Sequence, residues 1–120
     1  MQRFDEKLPG ENVVLAFNFT LFLATLPLGT VLAGAPVVTI TDIYGGDTNP
    51  QAVLNGTPAI DTVGNSLYGP NVTVLVPVTG GLDMNDYVVT AECPTNNQYW
   101  TPALPAILPV RALPSKFGGP

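Results

Sequence analysis

The sequence predicts an all-β domain of the sandwich type, and three observations carry that prediction. Apolar residues recur at a period of two in short runs. The clearest is 72–78, where Val72, Val74, Val76 and Val78 share one face. Glycine and proline, 12 and 13 of the 120 residues, punctuate these runs, the spacing expected of turns between short strands. No stretch sustains the helical period. A chain of this length forms one domain around one core.

The elements follow in order. Residues 1–12 are polar and are expected to form an N-terminal arm, with Pro9-Gly10 as a turn. Residues 13–24 read as the first long strand. Leu15, Phe17, Phe19, Leu21 and Leu23 would face one side, with Ala16, Asn18, Thr20 and Ala24 on the other. Residues 12–41 carry no charge, long enough for a spanning helix. However, Asn18, Thr20, Thr25, Gly29 and Thr30 interrupt the run, and Pro27 and Pro36 break a helix. A buried strand is expected instead. Ala33-Gly34-Ala35 has the look of a signal cleavage site, but Asp5 and Glu6 balance Arg3 and Lys7 ahead of it, and Pro36 follows the cut.

Leu26-Pro27-Leu28-Gly29 turns the chain into a short continuation at 30–32. Residues 37–44 form a strand with Val38, Ile40 and Tyr44 on one face. After a loop at 45–50, short strands at 52–54 and 59–62 flank Asn55-Gly56, a hairpin dipeptide. Pro77 in the valine run implies an edge position or a strand end. Gly80-Gly81 opens a connection to a strand at 86–93, and 107–113 is a last strand. Pro94, Pro102, Pro105, Pro109, Pro114 and Pro120 punctuate the C-terminal segment and favour extended backbone there. Ile107, Leu108, Val110 and Leu113 keep that segment apolar. The expected organisation is an arm at 1–12, a β-sandwich body at 13–93, and a Pro-rich edge strand with a C-terminal arm at 94–120.

Composition limits the chemistry. There is no histidine and one cysteine, Cys93. Histidine-dependent nucleophilic sites, imidazole metal ligation, an internal disulfide and a thiolate zinc site are therefore excluded. Cys93 is expected to be a small buried apolar residue. Four basic residues against nine acidic ones give a net charge of −5, unsuited to nucleic acid. The basic residues Arg3, Lys7, Arg111 and Lys116 sit at the two ends. Between them, Glu11, Asp42, Asp47, Asp61, Asp83, Asp86 and Glu92 are read as having no cationic partner nearby in sequence. Asp42, Asp47 and Asn49, and Asp83, Asn85 and Asp86, fall short of a calcium-loop template. No metal, cofactor or catalytic constellation is expected, so the chain is read as not an enzyme. Asn18, Asn55 and Asn71 head glycosylation triplets that a Thr-rich and Asn-rich β protein generates by chance.

Two aromatic features remain. Gly80-Gly81 followed by an acidic link and Tyr87 at the head of a late strand suits a tyrosine corner, in which the phenol hydrogen-bonds backbone a few residues upstream. Tyr99-Trp100 within 96–101 is either a surface anchor for a partner or part of the core.

Several short motifs resemble small virion proteins of tailed bacteriophages. They are Phe4 with Lys7-Leu8-Pro9-Gly10-Glu11, the strand holding Phe17-Asn18-Phe19, the valine run 72–78 followed by Gly80-Gly81 and Tyr87-Val88-Val89, and the closing Leu108-Pro109-Val110-Arg111. The chain departs from that pattern at Leu8, Gly10 and Asn18, where acidic residues are usual, and in its longer Pro-rich end. The resemblance implies an immunoglobulin-like antiparallel β-sandwich with extended terminal arms. It implies a non-enzymatic structural protein of a phage particle that binds and stabilises the capsid shell as a decoration or cement protein. A head–tail connector or tail-associated protein is the alternative within that class. A secreted or surface immunoglobulin-like adhesion module is the alternative outside it. The implied partners are the major capsid protein or neighbouring virion proteins, with the chain homo-oligomeric or lattice-bound, and neither nucleic acid nor membrane. The implied location is the virion, after synthesis in the host cytoplasm. Contact residues expected from composition and placement are Phe4, Lys7, Tyr99, Trp100, Arg111 and Phe117.

Overall fold

The computed structural model describes residues 2–64 and 69–112. The chain is all-β, with 39% strand and 7% helix in two sheets. Its strands are β1 (Gln2–Arg3), β2 (Val13–Asn18), β3 (Val37–Asp42), β4 (Ala59–Ile60), β5 (Thr73–Val78), β6 (Asn85–Glu92) and β7 (Ala103–Val110). A single helical turn, α1 (Thr20–Leu23), follows β2, and a 3₁₀ turn, Pro50–Val53, precedes β4. One sheet has the order β1-β7-β6-β3 and the other β2-β5-β4. All pairings are antiparallel except β1 with β7, which run parallel. Leu15, Phe17, Val74, Val76 and Val78 of one sheet share a single core with Val38, Ile40, Tyr87, Val89, Leu108 and Val110 of the other.

Alternation places that core. Val74, Val76 and Val78 are buried on β5, as the valine run predicts. Val38 and Ile40 are buried on β3, but the strand ends at Asp42 and Tyr44 is exposed. The long first strand is shorter than its alternation suggests. β2 stops at Asn18, whose side-chain oxygen accepts from the N–H of Thr20 at 3.0 Å and from its hydroxyl at 2.6 Å. The chain then turns into α1, where the period of two lapses. Leu23 stays buried while Leu21 swings out to 85% exposure.

Asn55-Gly56 does not close a hairpin. Residues 50–53 form the 3₁₀ turn, begun by Pro50. Leu54 bridges Val78 and the Asn55 N–H donates to the Pro77 carbonyl, so this segment joins β5 directly. Gln51 on the same turn blocks the edge of β3. Its amide accepts from the Ile40 N–H at 2.9 Å and donates to the Val38 carbonyl at 2.8 Å, as a neighbouring strand would.

Prolines lie where a missing N–H costs no bond to the long neighbouring strand. β5 is the central strand of its sheet, but Pro77 is its penultimate residue. The Pro77 carbonyl points away from β2, beyond the two residues of β4. On β7 the carbonyls of Ile107 and Pro109 accept from the N–H groups of Phe4 and Lys7. Odd-numbered residues of β7 therefore turn away from β6, and Pro105 and Pro109 withhold no donor from it. β7 pairs with β6 along its whole length and lies between β6 and β1. Both flanking segments thus contribute strands to the first sheet.

Candidate interaction surface

One end of the two sheets is a braced polar corner. Tyr87, near the start of β6, is fully buried. Its hydroxyl accepts from the N–H of Leu82 at 2.8 Å and donates to Asp47 Oδ2 at 2.7 Å. This is the bond to backbone five residues upstream that the tyrosine corner requires. Gly80 and Gly81 take positive φ, 64° and 95°, and a β-carbon on Gly81 would lie 3.0 Å from Val110 and 3.4 Å from the Tyr87 ring. Burial pushes the phenol pKa up to about 12, reinforced by Asp47 and the charge of Asp42 and opposed by the Leu82 N–H. Burial also lifts the Cys93 thiol, to about 11.

The acidic residues of the 42–49 loop are structural acceptors. Asp42 Oδ1 and Oδ2 take the N–H groups of Tyr44 and Asp47, and Asp47 Oδ1 takes that of Asn49. Asp86 Oδ1 pairs with Arg111 Nη2 at 2.6 Å, and its other oxygen receives the Tyr44 hydroxyl at 3.3 Å. Among the described residues no group of three or more His, Cys, Asp or Glu is placed to hold a metal ion. No described helix is long and apolar enough to cross a membrane.

The opposite end is uncharged and open. The chain between α1 and β3 meets the loop between β6 and β7 there. Leu32 bridges Thr95, and the N–H of Ala33 donates to the Pro94 carbonyl. Asn96 straps the two together. Its amide donates to the Gly29 carbonyl at 3.0 Å, its oxygen accepts from the Val31 N–H at 3.2 Å, and its own N–H reaches the Val31 carbonyl at 3.0 Å. Within the second loop the Thr95 hydroxyl accepts from the Asn97 N–H and lies 2.9 Å from the carbonyls of Asn97 and Trp100. The Asn97 side chain accepts from the Tyr99 N–H at 3.1 Å. This frame presents Tyr99 at 79% exposure, Trp100 at 42%, and a fully projecting Leu28. A cleft of about 500 Å³ separates the loops, lined by Pro27, Leu28, Thr30, Asn96, Gln98 and Tyr99 among others. A second depression of about 280 Å³ shares Pro27, Leu28, Gly29 and Thr30 and extends to Thr20 and Leu23 on α1, the turn that also exposes Leu21 and Phe22. Large apolar side chains gathered on one loop cluster mark a docking surface more often than isolated ones do.

The expected contact residues separate accordingly. Tyr99 and Trp100 are on the surface and not in the core. Lys7 is corrected: it is 1% exposed, with its ammonium on the carbonyls of Leu8 at 2.7 Å and Gly80 at 2.6 Å. Burial lowers its pKa, against the opposing charge of Glu11. Phe4 is also turned inward, its ring edge-on to Phe17 with centroids 5.3 Å apart. Arg111 is spent on Asp86 and on the carbonyls of Asn85 and Val110. Phe117 lies outside the described residues. Leu21, Phe22 and Leu28 join the surface without having been expected there. The one sequence signal for Leu28 was an apolar residue placed inside a Pro-Gly turn. No known family model, no curated protein and no solved structure matches the chain.

Proposed function

We propose that the chain is a non-enzymatic immunoglobulin-like β-sandwich that serves as a structural protein of a tailed-phage particle, binding and stabilising the capsid shell as a decoration or cement protein. The orders β2-β5-β4 and β3-β6-β7 correspond to the B-E-D and C-F-G orders of immunoglobulin sheets. The tyrosine corner at the head of β6 supports the same topology. The motif resemblance supports the particle. The observation that carries a binding role is the display of Tyr99 and Trp100 on the loop between β6 and β7, which Asn96 braces to the loop carrying Leu28. Aromatic anchors on a prearranged frame lose little entropy on docking and dominate contact energies. Repetition over a symmetric shell multiplies such contacts.

The test is incorporation of a Tyr99→Ser/Trp100→Ser double variant into purified particles. Its occupancy is expected to fall at least about tenfold, the equivalent of about 1.4 kcal/mol per docking contact. The melting temperature of the free protein should stay within a few degrees, because these are surface positions. Full occupancy would remove this face from the docking account.

A further inference from the structure

We propose that the free edge of β2 is a second docking site, one that accepts an extended, cationic segment of another protein as an added strand. It uses a different face from Tyr99 and Trp100, and stands whichever particle or surface the chain serves.

The first argument is the backbone. β2 is the outer strand of the order β2-β5-β4. The Phe19 N–H donates to the Val72 carbonyl, so odd-numbered residues of this segment turn toward β5. The N–H and C=O groups of Val14 and Ala16 therefore point away from the sheet. Outside the β2–β5 ladder, no backbone hydrogen bond between described residues engages them. The other edges are closed or short: Gln51 fills that of β3, and β1 and β4 have two residues each. Strand edges are normally guarded by charge, proline or a bulge. Val13–Asn18 contains no charged residue, no proline and no glycine, and its register with β5 is unbroken.

The second argument is shape and charge. A groove of about 420 Å³ runs beside this edge, between residues 13–16 and the N-terminal segment. Phe4 and Leu108 contribute its apolar lining, and Asp5, Glu6 and Glu11 line it as well. Among the described residues that line it the one cation is Lys7, held inside by two backbone carbonyls. An added strand thus meets outward-facing backbone groups, an apolar slot and an acidic lining. A second copy of this chain suits that setting poorly. It brings a net charge of −5, and self-pairing through β2 would set both copies' carboxylates together. A strand that alternates apolar residues with lysine or arginine satisfies all three features.

Two peptides test the proposal against the full chain by amide NMR titration: Ac-Lys-Val-Lys-Val-Lys-Val-NH2 and Ac-Glu-Val-Glu-Val-Glu-Val-NH2. The lysine peptide is expected to bind with a Kd below about 1 mM, shifting the amides of Val14 and Ala16 first. The glutamate peptide should bind at least about tenfold more weakly, as like-charge juxtaposition demands. Ala16→Pro removes an edge donor without removing a bond to β5, and should weaken the lysine peptide at least about tenfold while the protein stays folded. Val14→Pro is the parallel variant should Ala16→Pro unfold. No binding of the lysine peptide, equal binding of the two peptides, undiminished binding by a folded proline variant, or shifts confined to the Tyr99–Trp100 end would each overturn the proposal. So would a concentration-dependent dimer that the proline variant abolishes, since the occupant would then be a second copy.

Discussion

Replacing Phe17 with alanine is expected to destabilise the domain by about 3–5 kcal/mol, the usual cost of deleting a buried phenyl group. Phe17 is fully buried on β2, opposite Val74 of β5. Its ring meets Phe4 edge-on, with an interplanar angle of 72°. Phe4 follows β1, which pairs with β7 of the other sheet. The Phe17 ring therefore anchors the N-terminal segment across the core as well as filling it. Total stability of a domain this size is about 5–15 kcal/mol, so the loss is a large share of the whole. Urea unfolding measures it. The Phe4→Ala/Phe17→Ala double variant should lose less than the sum of the single changes, because the rings are partners. A loss from Phe17→Ala near zero, or strict additivity, would show that the N-terminal segment is not packed on the core.

Tyr87→Phe is expected to cost about 2 kcal/mol, since the hydroxyl makes one bond to backbone and one to a carboxylate. That corresponds to a fall in melting temperature of roughly 6–12 °C. The pH dependence identifies the hydroxyl as the cause. The folded-state phenol pKa, about 12, lies above its ordinary 10.0. Between those values the unfolded chain has released the proton while the folded chain still holds it. The Tyr87 contribution is thus complete below pH 10 and is lost as pH rises toward 12. Cys93, raised to about 11 from 9.0, has the same sign one unit lower. Lys7, lowered from 10.5, has the opposite sign. Both remain in Tyr87→Phe. The stability gap between wild type and variant should therefore narrow from pH 10 to 12. A gap that holds constant across that range would show that the phenol does not titrate as the corner requires.

The corner was legible in the sequence because it is a local device. Gly80, Gly81 and Tyr87 are close in the chain, and the bond spans only from Tyr87 to Leu82. The valines of β5 were legible for a similar reason, since alternation directly reports which residues face the core. α1 was not. Four residues make one helical turn, too short to show a period, and Phe19, Leu21 and Leu23 continue the spacing of Leu15 and Phe17 into it. Asn55-Gly56 was misleading because the hairpin dipeptide lost to pairing of its flanks with β5. Lys7 was placed outside because lysine is almost never buried. The carbonyl of Gly80 that holds it is distant in sequence. The end proposed for docking shows the same division. Tyr99 and Trp100 announce themselves, but their alignment with Leu28 depends on Asn96 reaching across to Gly29.

The measurement that tests the central claim most directly is quantitative mass spectrometry of purified phage particles assembled with this gene, reporting the chain relative to the major shell protein. The account predicts a ratio of the same order as the shell protein, because a decoration protein occupies a repeating lattice site. A ratio far below that would contradict the shell assignment in favour of a connector or tail-associated position. Absence from the particle would contradict the virion role itself.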